Sequence, residues 1–384
     1  MKYLKSGFFI ITSSLLSISL MTALTTKSYK DIEVVKGNTY SISFDKDHNR
    51  LSDYTGNSSI SGDAVCKTLS NNDVHIAYQN VKYSGDNWYS LPRNSEIYNA
   101  SKISGISSIS LITTSNSENL TLYYGFSVRS DEYSLNLSTV AGETYSFDFN
   151  NISPNYFMIS NDVSTEVTIN MMEITFSCSD TYIPHYGETL STNGSVATYG
   201  MYPYRKVISS YLVNEIQSQG ISIGNGYYSY DNQYYYKDND TYFTSRAINW
   251  EVISSNEDQY ELLSQDVLDG HIFDTSTNIF ADSELKTWLN SDFKDRAFIL
   301  NDSSLVDEII ILGKDDIPNK KSKKTEYSVY KGVYNTSNPC TRYWTSTTYN
   351  NKVYYINYTG DIGTDKALTA TDVGVRPLIT VSVL

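Results

Sequence analysis

The sequence predicts two folded units in series, an N-terminal all-β sandwich of jelly-roll-like kind over 27–180 and a C-terminal α+β domain over 190–384, joined by a linker at 181–189. Three observations carry this expectation. A chain of 384 residues is longer than one hydrophobic core normally serves. Apolar residues alternate with period two through 30–178, the spacing of half-buried strands. Helical spacing then appears at Ile208, Leu212 and Ile216, where the texture becomes mixed.

The chain opens with Lys2 and Lys5 ahead of an apolar stretch from Phe8 to about Leu24, the layout of an export signal at 1–26. The Ala23 to Thr26 region offers a small-residue cleavage site, and an uncleaved N-terminal anchor is the alternative. A secreted or cell-surface location follows in either case, with membrane contact only through that segment.

Strands of the first unit are expected around Tyr40, Ile42 and Phe44; Leu122, Tyr124, Phe126 and Val128; Tyr133, Leu135 and Leu137; and Tyr145, Phe147 and Phe149. Turn-forming Gly, Asn, Asp and Ser separate them, as in antiparallel sandwiches. Val167, Ile169 and Met171 keep one phase while Met172, Ile174, Phe176 and Cys178 keep the other, which predicts a bulge at Met171 and Met172. Asp45, Asp47, Asn49 and Asp53 have the spacing of a calcium loop, but Arg50 and Gly56 stand where such a loop needs Gly and Glu. A solvated acidic turn is the expectation, and no metal or cofactor is assigned.

Pro184 and Gly187 mark the linker. Beyond it, 207–219 is expected to be a helix closed by Gly220, and Leu285, Trp288, Leu289 and Phe293 mark a second helix with Asp282 or Ser283 as its N-cap. Strands are expected at 250–253, 260–263, 353–358 and 378–383.

Composition narrows function. A net charge of -14 repels phosphate backbones and anionic headgroups, so nucleic acid is not an expected partner. Lys320, Lys321, Lys323 and Lys324 form the one basic cluster, read as a solvated loop. Cys66, Cys178 and Cys340 lie too far apart for a local metal pair, and Cys66 and Cys178 either form a disulfide or sit as two buried small residues. His48, His75, His185 and His271 form no pair at helical or turn spacing. The 35 tyrosines suit sugar binding, and an AT-rich genome produces the same excess.

Several motifs occur in order in the second unit: Tyr199-Gly200-Met201-Tyr202-Pro203, Ile248-Asn249-Trp250-Glu251-Val252, the Leu285 to Phe293 helix followed by Ala297-Phe298, and Gly374-Val375-Arg376-Pro377. In these the segment from Leu190 onward resembles a bacterial family catalogued as domain of unknown function 6273. Most members carry W-W-L-R-S-P before the final strands, whereas this chain has Tyr343-Trp344-Thr345-Ser346-Thr347, closer to the Y-W-S-S-T of a neighbouring family of bacterial surface repeats. The resemblance implies a C-type-lectin-like fold. Trp250, Trp288 and Trp344 are then structural, each contributing roughly 3 kcal/mol on burial, and Arg376 on its apolar strand needs a carboxylate or carbonyl partner.

The fold so implied presents a ligand face from the long segment before its terminal strands, here about Asp315 to Asn350, with Tyr327, Tyr330, Tyr334 and Tyr343 as its stacking residues. The expected function is a non-catalytic binding or adhesion protein for an extracellular glycan or protein. A structural envelope protein and an extracellular hydrolase are the alternatives. The calcium-dependent sugar motifs E-P-N, Q-P-D and W-N-D are absent, and Cys340 alone cannot supply the two nearby cysteines of the formylglycine-generating version of the fold.

Overall fold

Side-chain alternation decides which face of each strand is buried, and here it does so twice for one sheet. The computed structural model describes residues 39–44, 58–67, 73–83, 89–114, 117–149, 152–162, 165–177 and 185–382. The chain is mostly β-sheet, arranged in several antiparallel sheets. Among the described residues no helix is long and apolar enough to cross a membrane. The export segment, the Asp45 to Asp53 turn, Cys178 and the Cys66 side chain lie outside the described residues.

Up to residue 177 two sheets face each other. The first, of five strands, is built around Val167–Ser177, which pairs with Thr39–Phe44, Tyr89–Leu91 and Ile106–Thr113. The second has six strands, with Tyr156–Asn161 between Ser95–Asn99 and Ser117–Gly125. Ile97, Leu122, Phe157 and Ile159 of the second meet Ile109, Leu111, Ile169 and Ile174 of the first in one apolar core. The opposite face of the six-stranded sheet is also covered: Tyr98, Tyr156 and Met158 pack with Val207, Leu212, Ile216 and Tyr235. Tyr156–Asn161 is therefore buried at every position, where a half-solvated strand would alternate.

Two expectations shift in detail. The bulge in Val167–Ser177 falls between Ile169 and Met171, one residue earlier than the phase change predicts, leaving Met172 in the core and Met171 only half-buried. Tyr133 and Leu135 are not half-buried but about 40% exposed, because Tyr133–Thr139 is the edge strand of the six-stranded sheet and has a neighbouring strand on one side only.

From residue 191 an eight-stranded sheet is organised by Thr241–Ser255, a strand long enough to pair with Val196–Lys206 on one side and with both Gln233–Asp238 and Gln259–Ser264 on the other. Ile248 and Trp250 point into the largest core with Met201, Tyr202 and Trp344, while the intervening Asn249 and Glu251 face outward. A five-stranded sheet holds Tyr343–Tyr349, Lys352–Ile356 and the short Gly374–Val375 and Asp269–Gly270 strands.

Helix Ser210–Gln219 begins at Ser209, whose hydroxyl accepts the N–H of Leu212, and ends at Gly220. The second helix starts at Ser283, runs over Glu284–Trp288, widens to one π-helical turn at Leu289–Phe293 and closes with Lys294–Ala297. The wide turn brings Leu289 and Phe293 together into the core. Behind it, Gly200 has φ +73° and no room for a side chain: a Cβ there would lie 2.7 Å from the Phe298 ring and 2.8 Å from the Ala297 carbonyl.

Candidate functional site

The strand 196–206 and the outward face of Thr241–Ser255 form one wall of a cleft of about 490 Å³. Asp131, from the loop before the edge strand Tyr133–Thr139, and the lysine loop 319–324 complete the lining. The wall residues are Tyr204, Arg246, Asn249, Glu251, Gln265 and Asp266.

Arg246 is the centre of the polar network. Its Nη1 donates to Asp131 at 3.1 Å and its Nη2 to Asp266 at 2.5 Å. Its guanidinium carbon lies 3.4 Å from the centre of the Tyr204 ring, and the Tyr204 hydroxyl donates to Asp131 at 2.7 Å. Burial pushes the Tyr204 phenol up to about 12, so it stays a donor. Burial also raises both carboxyls, but the two outcomes differ. At Asp131 the combined charge of Arg246 and Arg205 wins and holds the group below the usual range. Asp266 stays above it, because burial outweighs the attraction of Arg246.

Arg376 braces the floor. It is 3% exposed, donating from Nε to the Ser264 carbonyl at 2.7 Å and from Nη1 to the Asn319 carbonyl at 2.5 Å, with Glu251 at 3.5 Å from Nη2. Ser322, also buried, donates to the Gln265 carbonyl at 2.7 Å, and Lys324 Nζ donates to the carbonyls of Thr336 and Asn338. The lysine loop is thus anchored through its backbone and Lys324, while Lys321 and Lys323 are exposed, as expected of a solvated loop, and line the cleft with Lys324. Among the described residues the side chains of Asn249, Gln265, Lys321 and Lys323 have no hydrogen-bond or ion-pair partner.

The four tyrosines expected to form a stacking face do not make one face: Tyr327 and Tyr330 stack at 6.3 Å between ring centres, and Tyr334 and Tyr343 lie apart from them. Tyr327 is fully buried on the short helix Glu326–Tyr330, its ring edge-on to Tyr202, Tyr236 and Phe243, and its hydroxyl donates to Asp238 at 3.1 Å. Tyr343 is buried too, its hydroxyl donating to the Lys320 carbonyl at 2.8 Å. Neither offers a ring face to a ligand, because each hydroxyl has a fixed partner inside and each ring fills core volume. Tyr330 is 40% exposed and borders a separate, more apolar hollow with Phe243 and Val329. Tyr334 is half-buried under the Arg342 guanidinium at 3.6 Å from its ring centre.

Trp250 and Trp344 are fully buried, whereas Trp288 is half-buried: it stacks on His271 at 4.7 Å and rims a smaller hollow above Asp269 and Arg296. Sequence reasoning missed Asp131, Tyr204, Arg246 and Asp266. The signal that pointed toward them was the lysine cluster in an otherwise acidic chain. Among the described residues no group of three or more His, Cys, Asp or Glu side chains is placed to hold a metal ion.

No protein-family model matches the chain, and no curated protein matches it. Among solved structures it is similar to a low-affinity xylan binding module, CBM86, of the gut symbiont Roseburia intestinalis, at 6% identity and a TM-score of 0.20, over 36% of this chain and 96% of the module. It is also similar to a glycoside hydrolase domain, Endo-D of Streptococcus pneumoniae R6, at 11% identity and a TM-score of 0.18, over 60% of this chain and 41% of that one. At these TM-scores neither likeness bears on the ligand.

Proposed function

We propose that the protein is a secreted or cell-surface, non-catalytic binding protein whose ligand is a glycan seated in the cleft between Asp131 and the lysine loop, and that 190–384 is a C-type-lectin-like domain of the domain of unknown function 6273 family. The observation that carries the reading is the lining: a pocket of about 490 Å³ whose wall is polar almost throughout, with the amides of Asn249 and Gln265 unpartnered and facing it. Two amides, each both donor and acceptor, match the paired hydroxyls of a sugar, and an apolar metabolite would leave them unsatisfied. Binding is favoured over hydrolysis because every cleft carboxylate is committed to an arginine, Asp131 and Asp266 to Arg246 and Glu251 to Arg376.

The test is a glycan array and host-protein screen with residues 27 to 384, run with calcium and with chelator, beside an Asn249→Ala/Gln265→Ala variant. Saturable glycan binding that falls at least ten-fold in the variant is the expected result. Binding that survives the variant places the ligand elsewhere, release of shortened oligosaccharides would make the protein a hydrolase, and no ligand at all leaves a structural surface protein.

A further inference from the structure

Resting on the glycan reading of the same cleft, we infer that the ligand is an acidic oligosaccharide, one whose sugars carry carboxylate or sulfate groups. The cleft has a sign opposite to that of the whole molecule. Five cationic side chains line it against three carboxylates, an excess of two positive charges on a chain of net charge -14. Arg246 and Arg376 pair with all three carboxylates, and two arginines against three carboxylates leave one negative charge to be met by the lysines. The positive excess lies on the lysine loop, where Lys323 runs beside Asp266 and feels its carboxylate while Lys321 forms no ion pair among the described residues.

Their placement is built rather than incidental. In extended chain, residues two apart point to the same side, roughly 7 Å apart. The residue between them, Ser322, is buried and tied to the Gln265 carbonyl, which turns Lys321 and Lys323 together toward the cleft. Neighbouring backbone is pinned as well: Arg376 and Tyr343 hold the carbonyls of Asn319 and Lys320, and the Lys324 N–H donates to the Pro339 carbonyl at 3.1 Å. Two lysines carried on pinned backbone beside unpartnered amides suit a chain of sugars that alternates hydroxyls with anionic groups. A long polyanion such as nucleic acid is disfavoured, because the acidic surface outside the cleft repels it.

The test measures binding of the full chain to uronate-bearing and sulfated oligosaccharides, each beside its carboxyl-reduced or desulfated counterpart, in low and high salt. The acidic member of a pair is expected to bind roughly ten-fold tighter, the advantage shrinking as salt rises. Lys321→Met/Lys323→Met should abolish that advantage, bringing the acidic and neutral members of each pair to the same affinity. Neutral members binding as well as acidic ones would overturn the inference and leave the glycan reading standing. No binding to any pair would overturn both. An acidic preference that survives the lysine variant would remove the lysine loop from the site and overturn the assignment made here. Circular dichroism of the variant guards against misfolding, which is not expected from two exposed positions.

Discussion

The Arg129 guanidinium grips Glu326 with both of its terminal nitrogens, at 2.9 Å and 3.1 Å, joining the face-to-face sheets to a short helix 197 positions further along the chain. Arg129 is 3% exposed, sits at φ 55°, and also meets Glu96 at 2.5 Å. Replacing it with Met would leave the two carboxylates with only Arg205, 3.9 Å from Glu96, to balance them. The expected cost is about 2–4 kcal/mol, below the usual figure for a fully buried pair because Glu326 is partly solvated. Urea unfolding reads this directly, and a loss under 1 kcal/mol would show that the joint depends on the apolar contacts alone.

Asp269 makes a second buried centre. It accepts from Tyr202 at 2.5 Å, from Arg296 at 3.2 Å and from the Gly270 N–H at 2.7 Å. Asp269→Ala is expected to destabilise by about 3–5 kcal/mol, with Asp269→Asn recovering part of that through the retained hydrogen bonds. Equal losses in the two variants would contradict a role for the retained bonds.

An alanine scan of the four tyrosines separates core from surface. Tyr327→Ala and Tyr343→Ala should each cost about 3–5 kcal/mol, whereas Tyr330→Ala and Tyr334→Ala should cost about 1 kcal/mol or less. Thermal melts suffice, and a loss of glycan binding in folded Tyr330→Ala would move the site to the apolar hollow.

Stability should peak on the acid side of neutrality. Asp274 accepts the N–H groups of Ser276, Thr277 and Glu284 at 2.6, 2.7 and 2.8 Å, and these donors outweigh burial to hold its carboxyl at about 2. A depressed carboxyl stabilises the fold above its unfolded value near 3.9, a contribution lost as pH falls toward about 2. Glu326 works in the same direction, because the charge of Arg129 overcomes its burial. Asp266 and Asp269 are raised, chiefly by burial, so the fold gains as pH drops from neutral through their raised values. Tm is expected to rise from pH 7 toward the range 4–5 and then fall steeply, more gently in Asp274→Asn. A Tm that climbs steadily to pH 8 would contradict the part given to Asp266 and Asp269.

Strand positions were legible wherever one face is wet. Val167 and Ile169, or Ile248 and Trp250, announce themselves by alternation because the residues between them are polar. Helix ends were legible through Ser283 and Gly220, whose chemistry is local. The second burial of Tyr98, Tyr156 and Met158 was not, since the partner that covers them begins at Val207, far along the chain, and leaves no local mark. The same applies to the cleft: Asp131 and Arg246 meet only in three dimensions, and a tyrosine such as Tyr327 has the same neighbours in sequence whether its ring is inside or out.

Every residue lining the cleft lies beyond position 185 except Asp131. A shortened protein carrying only the later part would therefore keep the lysines and amides while Arg246 and Tyr204 lost a shared acceptor and the local positive excess grew by one. Such a fragment is expected to hold anions more tightly and with less discrimination. The earlier sheets thus act as a charge trimmer, lending a single carboxylate that tempers a site they otherwise barely touch.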